Sequence, residues 1–374
     1  MPHVVVNTRL LLPGSTEGIA RFATEVLRRI TQQHPEVRFS FLFDRPFDDS
    51  FIFAPNVVPY VVPPPARHPL LWYLWFHQTT HRKVRQLAPQ VYFSPELYLC
   101  PGLGIPSVAV FHDVAYEHYP DILSPLHGWY IRRYSRVYQA EADHILTVSD
   151  FNRHDIHRVY GTPIDKLSVA YNGVSGEFHP VSEAEHAQVR DRFARGAPYF
   201  LFVGTIQPRK NLARLLQAFD IFKAETQAPV KLLIVGKRGF NHQRLNRVHQ
   251  QMLYRQDVQF TGRVSPSDLN ALYASALSLV YVPLYEGFGL PIVEAMRANT
   301  PVLCANISAM PEIYGEAAYG VNPHDEVAIA AGMKALYEDE GLRQHLVQAG
   351  RVQQAQFTWE GTAQSVWQVL ARYL

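Results

Sequence analysis

Two carboxylates, Glu286 and Glu294, stand eight positions apart in YEGFGLPIVEA (285–295), with two glycines, a Phe and a Pro between them. On one continuous helix they would lie about 80° apart at the 3.6-residue period. Gly287, Gly289 and Pro291 oppose such a helix. Proline is favoured at the first helical position, so the spacing predicts a helix from Pro291 to about Ala298. Glu286 then belongs to the approach loop and Glu294 to the first turn or so. The backbone N–H groups of Phe288, Gly289 and Leu290 become donors at a helix N-terminus, suited to an anion. Carboxylates accept from hydroxyls. Acids flanking an anion site suit a ligand with both phosphate and sugar hydroxyls. Dipole stabilisation, about 0.3–1 kcal/mol, would account for Glu294 but leaves Glu286 without a role.

Other chemistry-bearing residues fall just past apolar runs. Gly204 and Thr205 open GTIQPRKNL (204–212), where Arg209 and Lys210 precede a helical pattern. A helix start disfavours cations, and a bound anion would resolve the conflict, with Arg as a fork and Lys as a point charge. A solvated basic loop is the other reading. Gly14 and Gly18 lie in PGSTEGIAR (13–21), which is an ordinary turn or an anion cradle. It is not the dinucleotide fingerprint, which takes support from a hydride-transferring enzyme. His112 and Asp113 follow Val108–Phe111, Ser149 follows Ile145–Val148, and Asn172 follows Leu167–Tyr171. His112 is a reactive group or a buried, hydrogen-bonded histidine. There is no Asp-x-Asp and no zinc-like Cys/His spacing, so no metal is expected. PLLWYLWFHQTTHRKVRQL (69–87) reads first as a core helix with a basic end, and second as a rest on a membrane or a hold for an apolar acceptor.

The elements that must position these groups are short apolar runs alternating with amphipathic segments. In the first half the runs are Val4–Val6, Phe39–Phe43, Val91–Phe93, Val108–Phe111, Ile145–Val148 and Leu167–Tyr171. In the second they are Tyr199–Val203, Lys231–Val235, Val258–Thr261, Leu279–Val282 and Val302–Ala305. Near-continuous runs belong to strands covered on both faces, so two doubly wound α/β domains are expected. Ligands bind at the carboxyl ends of such strands, and two facing edges would form a cleft. Ser182 with Glu185 forms a capping-box signature for a linking helix. The expected domains are 1–175, 176–357 and a C-terminal helix at 358–374. The 374 residues suit two cores, and 47% hydrophobic with 18% charged content suits a globular chain. A net charge of +2 argues against a polybasic nucleic-acid binder. Cys100 and Cys304 read as buried thiols of a reducing compartment. With no signal-peptide pattern and no spanning run, a cytoplasmic protein is expected, or a peripheral guest on the inner face of a membrane.

YEGFGLPIVEAMRANTPV, VGTIQPRKNL, TVSDFNRHDI, VAYNGV, FTGRVSPSDLNALYASA, SAMPEIYGEAA and FHDV together resemble, in order, the blocks of the retaining, metal-independent nucleotide-sugar glycosyltransferases of the group 1 type (glycosyltransferase family four), which have the GT-B fold of two facing Rossmann-like domains. Glu17–Gly18 stands where a glycine pair is usual, and Thr205 where an Arg is often found. The resemblance implies that Arg209 and Lys210 neutralise the donor diphosphate. Glu294 would bind the ribose hydroxyls, and Glu286 with the Phe288–Leu290 backbone the transferred sugar. Val264 would line the base pocket, His112 lie near the reacting sugar, and Gly18, Gly204 and Thr205 lie on the donor. Asp113, Ser149, Asn152 and Asn172 are acceptor-side candidates. It implies front-face transfer of a hexose to a glycan or lipid-linked glycan, with no cofactor beyond a donor such as GDP-mannose, a UDP-sugar or an ADP-sugar. It also implies that the C-terminal helix packs back on the first domain. A sugar-nucleotide epimerase, a phosphorylase, or a non-catalytic sugar-nucleotide-binding protein stands as the alternative.

Overall fold

The apolar runs fold as parallel strands in two sheets. The computed structural model describes residues 1–14, 18–237, 239 and 243–374. It divides into a unit of Met1–Gly173 with Thr358–Leu374 and a unit of Val174–Phe357.

In the N-terminal unit the strands are β1 (His3–Asn7), β2 (Arg38–Phe43), β3 (Val57–Val61), β4 (Val91–Ser94), β5 (Ser107–Phe111), β6 (His144–Thr147) and β7 (Leu167–Val169). Their order is β3-β2-β1-β4-β5-β6-β7, all parallel. Val4–Val6 and Val108–Phe111 are fully buried, as helices on both faces require. β3 was not expected. Pro59 interrupts its run, and the strand tolerates it because it lies at the sheet edge. The helix Gly18–Gln33 buries Phe22, Val26 and Ile30. The C-terminal helix Trp359–Leu370 lies against it, with Trp367 stacked on His34 at 3.6 Å. Segment 69–87 is helical throughout, with a π-turn at Trp75–Thr79. Trp72, Trp75 and Phe76 join the core, whereas Leu70, Tyr73 and Leu74 are exposed.

In the C-terminal unit the strands are β8 (Tyr199–Val203), β9 (Lys231–Val235), β10 (Val258–Gly262), β11 (Ser278–Tyr281), β12 (Val302–Ala305) and β13 (Tyr319–Val321). Their order is β10-β9-β8-β11-β12-β13, again all parallel. β13 was also not expected, being three residues long with Gly320 at its centre. The capping box of Ser182 and Glu185 is formed, but its helix, Glu183–Ala194, belongs to this unit and does not link two. The helix after the opening acids runs Leu290–Arg297, one residue earlier than expected at each end.

Each sheet reverses its order beside its first strand, between β1 and β4 and between β8 and β11. Ligands of doubly wound sheets bind at the carboxyl end of this point. In the C-terminal sheet the strand ends are glycines packed backbone to backbone. Gly204 and Gly236 have φ of +150° and +142°, and Gly262 accepts the Gly236 N–H at 2.9 Å. A Cβ on Gly236 would lie 2.0 Å from the Gly204 carbonyl oxygen. Gly236→Ala is therefore expected to cost about 2–3 kcal/mol, read as a lower urea midpoint.

Candidate functional site

At the switch point of the C-terminal sheet, the loop after β8 meets the loop after β11. Pro208–Lys210 forms one 3₁₀ turn, ended by Asn211 at φ +60°. Asn211 is buried and donates to the carbonyls of Val282 (3.0 Å) and Pro323 (2.7 Å), locking the turn to the β11 loop. Arg209 donates to the Tyr285 carbonyl at 2.9 Å and pairs with the Glu286 carboxylate. Lys210 pairs with the same oxygen and donates to the Tyr281 hydroxyl at 2.5 Å. The charge conflict at this helix start is thus met by Glu286, a residue of the chain itself. Burial pushes the Glu286 carboxyl up, but Arg209 and Lys210 outweigh it, and the net shift is down. The Tyr281 hydroxyl is held well above its ordinary value by burial and by Glu286. A carboxylate shared by two cations is a poor nucleophile. Two cations on one carboxylate leave a net positive charge able to meet a polyanion.

Glu294 lies in a different helix, Leu290–Arg297, and in different company. It is 6% exposed and accepts from the Tyr273 hydroxyl at 2.9 Å. No side chain caps this helix. Its cap residue is Gly289 at φ +88°, where a Cβ would lie 2.9 Å from the Met310 methyl. Only glycine fits there, which keeps the amide end of the helix open. Phe288 is buried edge-on to Phe357, and Leu290 and Val264 are half-buried. A Cβ on Gly204 would touch the Phe202 ring at 3.9 Å and the Lys210 side chain at 4.0 Å, and Thr205 lies beside Gly239. Tyr273→Phe leaves Glu294 without this donor. On the ribose contact that the resemblance implies for Glu294, nucleotide affinity is expected to fall by on the order of tenfold, measurable by calorimetry.

In the N-terminal unit, the His112 Nε2 donates to the Pro95 carbonyl at 2.9 Å. With the ring neutral, Nδ1 is then the acceptor. Burial lowers its pKa against the raising effects of the Pro95 bond, Asp113 and Glu96. Asp113 accepts from the Ala115 N–H at 3.0 Å. Ser149 and Asn152 are fully buried: Ser149 caps the helix Asp150–Tyr160, and Asn152 donates to the His112 carbonyl at 2.5 Å. Asn152 thus holds the His112 loop, and Ser149 holds the Asn152 backbone. Asn172 is 5% exposed and adjoins Gly173, which abuts the Trp359 backbone. Gly18 begins its helix, whereas Glu17 lies outside the described residues. Sequence reasoning missed the group at this sheet's own switch point. Arg9 forms a fork on Glu96, and Asn7 donates to the same carboxylate at 2.8 Å. Trp72, Phe76 and Tyr98 surround the guanidinium. An Arg three residues past the apolar run Val4–Val6 was the signal available.

Burial also lowers the pKa of His3, His127, His77 and His144, the last two to about 4. With His112, all five of these histidines lie in the N-terminal unit. Each is neutral when folded and binds a proton more readily when unfolded. Their contribution is complete above the ordinary value of about 6.5 and is lost as pH falls below it, for His77 and His144 as it falls through about 4. Hydrogen exchange at pH 5 against pH 7 should show β5 and β6 losing protection while β8 and β9 keep theirs.

Among known proteins, the family described as Glycosyltransferase Family 4 matches residues 16–178, and Glycosyl transferases group 1 matches residues 185–353. The O-antigen chain mannosyltransferase B of Escherichia coli is 33% identical over 285 residues, 76% of this chain and 74% of that protein. The chain belongs to the group 1 glycosyltransferases. This glycosyltransferase is an enzyme of the hexosyltransferase class. It is also 28% identical to the O-antigen chain mannosyltransferase RfbU of Salmonella typhimurium, over 76% of this chain and 75% of that one. The glycosyltransferase has the GT-B fold. Sucrose-phosphate synthase from Thermosynechococcus elongatus superposes with a TM-score of 0.78 at 18% identity, over 100% of this chain and 99% of that one. HepE from Anabaena, in complex with UDP and glucose, superposes with a TM-score of 0.75 at 18% identity over the whole of both chains.

Proposed function

We propose that this glycosyltransferase moves a hexose, most simply mannose, from a nucleotide-diphospho-sugar to a glycan or lipid-linked glycan acceptor in polysaccharide biosynthesis. Transfer retains the anomeric configuration and needs no metal ion. The observation that carries this reading is the Arg209–Lys210–Glu286 cluster at the switch point, where a diphosphate would meet two cations held in place before it arrives. Preorganised charge of this kind stabilises a leaving diphosphate as the anomeric bond breaks. The acceptor oxygen bonds to the anomeric carbon on the face the phosphate leaves, and the departing phosphate oxygen takes the acceptor proton. Glu286 orients the sugar and forms no covalent intermediate, since both cations hold its carboxylate. Glu294, braced by Tyr273, takes the ribose hydroxyls. His112 enters as a neutral imidazole. Mannose is favoured because both named relatives are mannosyltransferases.

A thermal-shift panel of GDP-mannose, UDP-glucose and ADP-glucose tests the donor, since a specific ligand stabilises in proportion to its binding. GDP-mannose is expected to give the largest shift. Sugar release or transfer from it is expected to continue undiminished in a chelator, and a strict metal requirement would remove the role given to Arg209 and Lys210. The anomeric configuration of the product, read by NMR, tests retention.

A further inference from the structure

Two helices of the N-terminal unit present a face that the transfer chemistry does not use. One is the continuous helical segment 69–87, the other Pro125–Glu141. They run side by side in the same direction. Trp72 lies 4.7 Å from His127, Tyr73 lies 6.0 Å from Tyr134, and His77 lies 4.9 Å from Tyr134 and 6.2 Å from Tyr138, so the two helices advance together. At the leading ends of both, large apolar side chains face outward. Leu70 is 65% and Trp129 57% exposed, and Tyr73, Leu74 and Leu126 are exposed as well. Further along, both helices turn basic. Leu126, Trp129, Arg133 and Arg136 recur at spacings of three, four and three, which is one stripe of a helix. Arg82 and Arg85 are exposed on the other helix. The two helices hold six Lys and Arg against one acid, Glu141 at the last position of its helix, and Arg136 lies 3.8 Å from Glu117, in a chain whose totals nearly balance at 35 and 33.

An apolar tip carrying Trp and Leu, with a predominantly basic band about 10–15 Å behind it, has the dimensions of a bilayer interface. Trp favours the headgroup level, and exposed Arg gains about tenfold or less each from an anionic leaflet. A second copy of the chain would bring basic band to basic band, which opposes self-association through this face. We propose that this face docks the enzyme on an anionic lipid surface, with Leu70, Leu126 and Trp129 among the headgroups and Arg82, Arg85 and Arg133 against lipid phosphates. It deepens the reading of a lipid-linked acceptor, which would be met at that surface, but it stands on the helices alone.

The test is co-sedimentation of the full chain with vesicles of phosphatidylcholine, alone or with about one-third phosphatidylglycerol. Binding is expected only to the anionic vesicles and should weaken with salt. Arg85→Gln with Arg133→Gln should weaken it on the order of 30-fold. Trp129→Glu should weaken it at least about tenfold. Both variants should keep the wild-type melting temperature, because the substituted side chains are exposed. No binding to either vesicle, equal binding to both, undiminished binding by either variant, or a dimer in light scattering that Trp129→Glu abolishes would overturn the proposal. The nucleotide-sugar thermal shift is read separately on the same samples, so failure of the transferase reading would leave vesicle binding intact, and the converse holds too.

Discussion

Lys210→Ala is expected to lower turnover by a factor on the order of 10²–10³, with a smaller change in KM. The Lys210 ammonium is held by two neighbours through three contacts. It pairs with Glu286, donates to the Tyr281 hydroxyl at 2.5 Å, and lies 5.0 Å from the centre of the Tyr281 ring. Its side chain is 11% exposed. A charge fixed in so dry a place acts on a leaving diphosphate without reorganising. Charge builds on that phosphate as the bond breaks, so the loss falls mainly on kcat and less on ground-state binding. The fold should survive, because Arg209 still neutralises Glu286 and Asn211 still ties the turn to Val282 and Pro323. Lys210→Arg should not restore full rate, since the planar fork cannot occupy the place of a point charge beneath Tyr281. Steady-state kinetics with the donor identified by thermal shift checks all of this. Wild-type turnover in the alanine variant would remove Lys210 from the diphosphate.

What the sequence makes legible here is local, and what it hides is contact. Eleven apolar runs became strands because period and composition report burial on both faces directly. β3 escaped because Pro59 breaks the run, and only its edge position, a tertiary fact, makes that proline tolerable. Gly204, Gly236 and Gly262 are visible one by one as strand ends, but their packing on each other is not. The same divide runs through the site. The acids and cations could be picked out by their positions after strands. That Glu286 neutralises Arg209 could not, because 77 residues separate them. Sequence reasoning sent Glu286 to the sugar and the cations to the phosphate as separate duties, whereas the fold joins the three in one cluster. Tyr281 and Tyr273, which brace the two halves of the site, read as core aromatics in the sequence, and by burial they are. Their hydroxyls matter only through partners that the fold supplies. Arg9 and Glu96, 87 residues apart, show the same limit in the other sheet.

Glu286→Gln is the sharper experiment, because the cluster makes it act in opposite directions on two measurements. In the structure the carboxylate is a counter-charge for both Arg209 and Lys210, and its side chain is only 9% exposed. The amide keeps the shape and removes the charge that both cations pair with. Breaking a buried pair on one side costs about 3–5 kcal/mol. The ligand-free variant should therefore melt earlier. The carboxyl pKa is lowered in the fold, so its stabilisation is present above the ordinary value of about 4.5 and lost as pH falls below it. The variant should lack that part of the acid dependence. A nucleoside diphosphate supplies the missing negative charge and no longer competes with Glu286 for the cations. It should bind as tightly as to the wild type or tighter, and raise the melting temperature by more. Turnover should nevertheless fall on the order of 10²–10³, since the transferred sugar loses its carboxylate and the cations lose the partner that holds them in register. Calorimetry with the nucleoside diphosphate and steady-state rates on the same preparation separate the two effects. If nucleotide affinity collapsed together with the rate, Glu286 would be a nucleotide ligand, and the division of duty between it and Glu294 would be wrong.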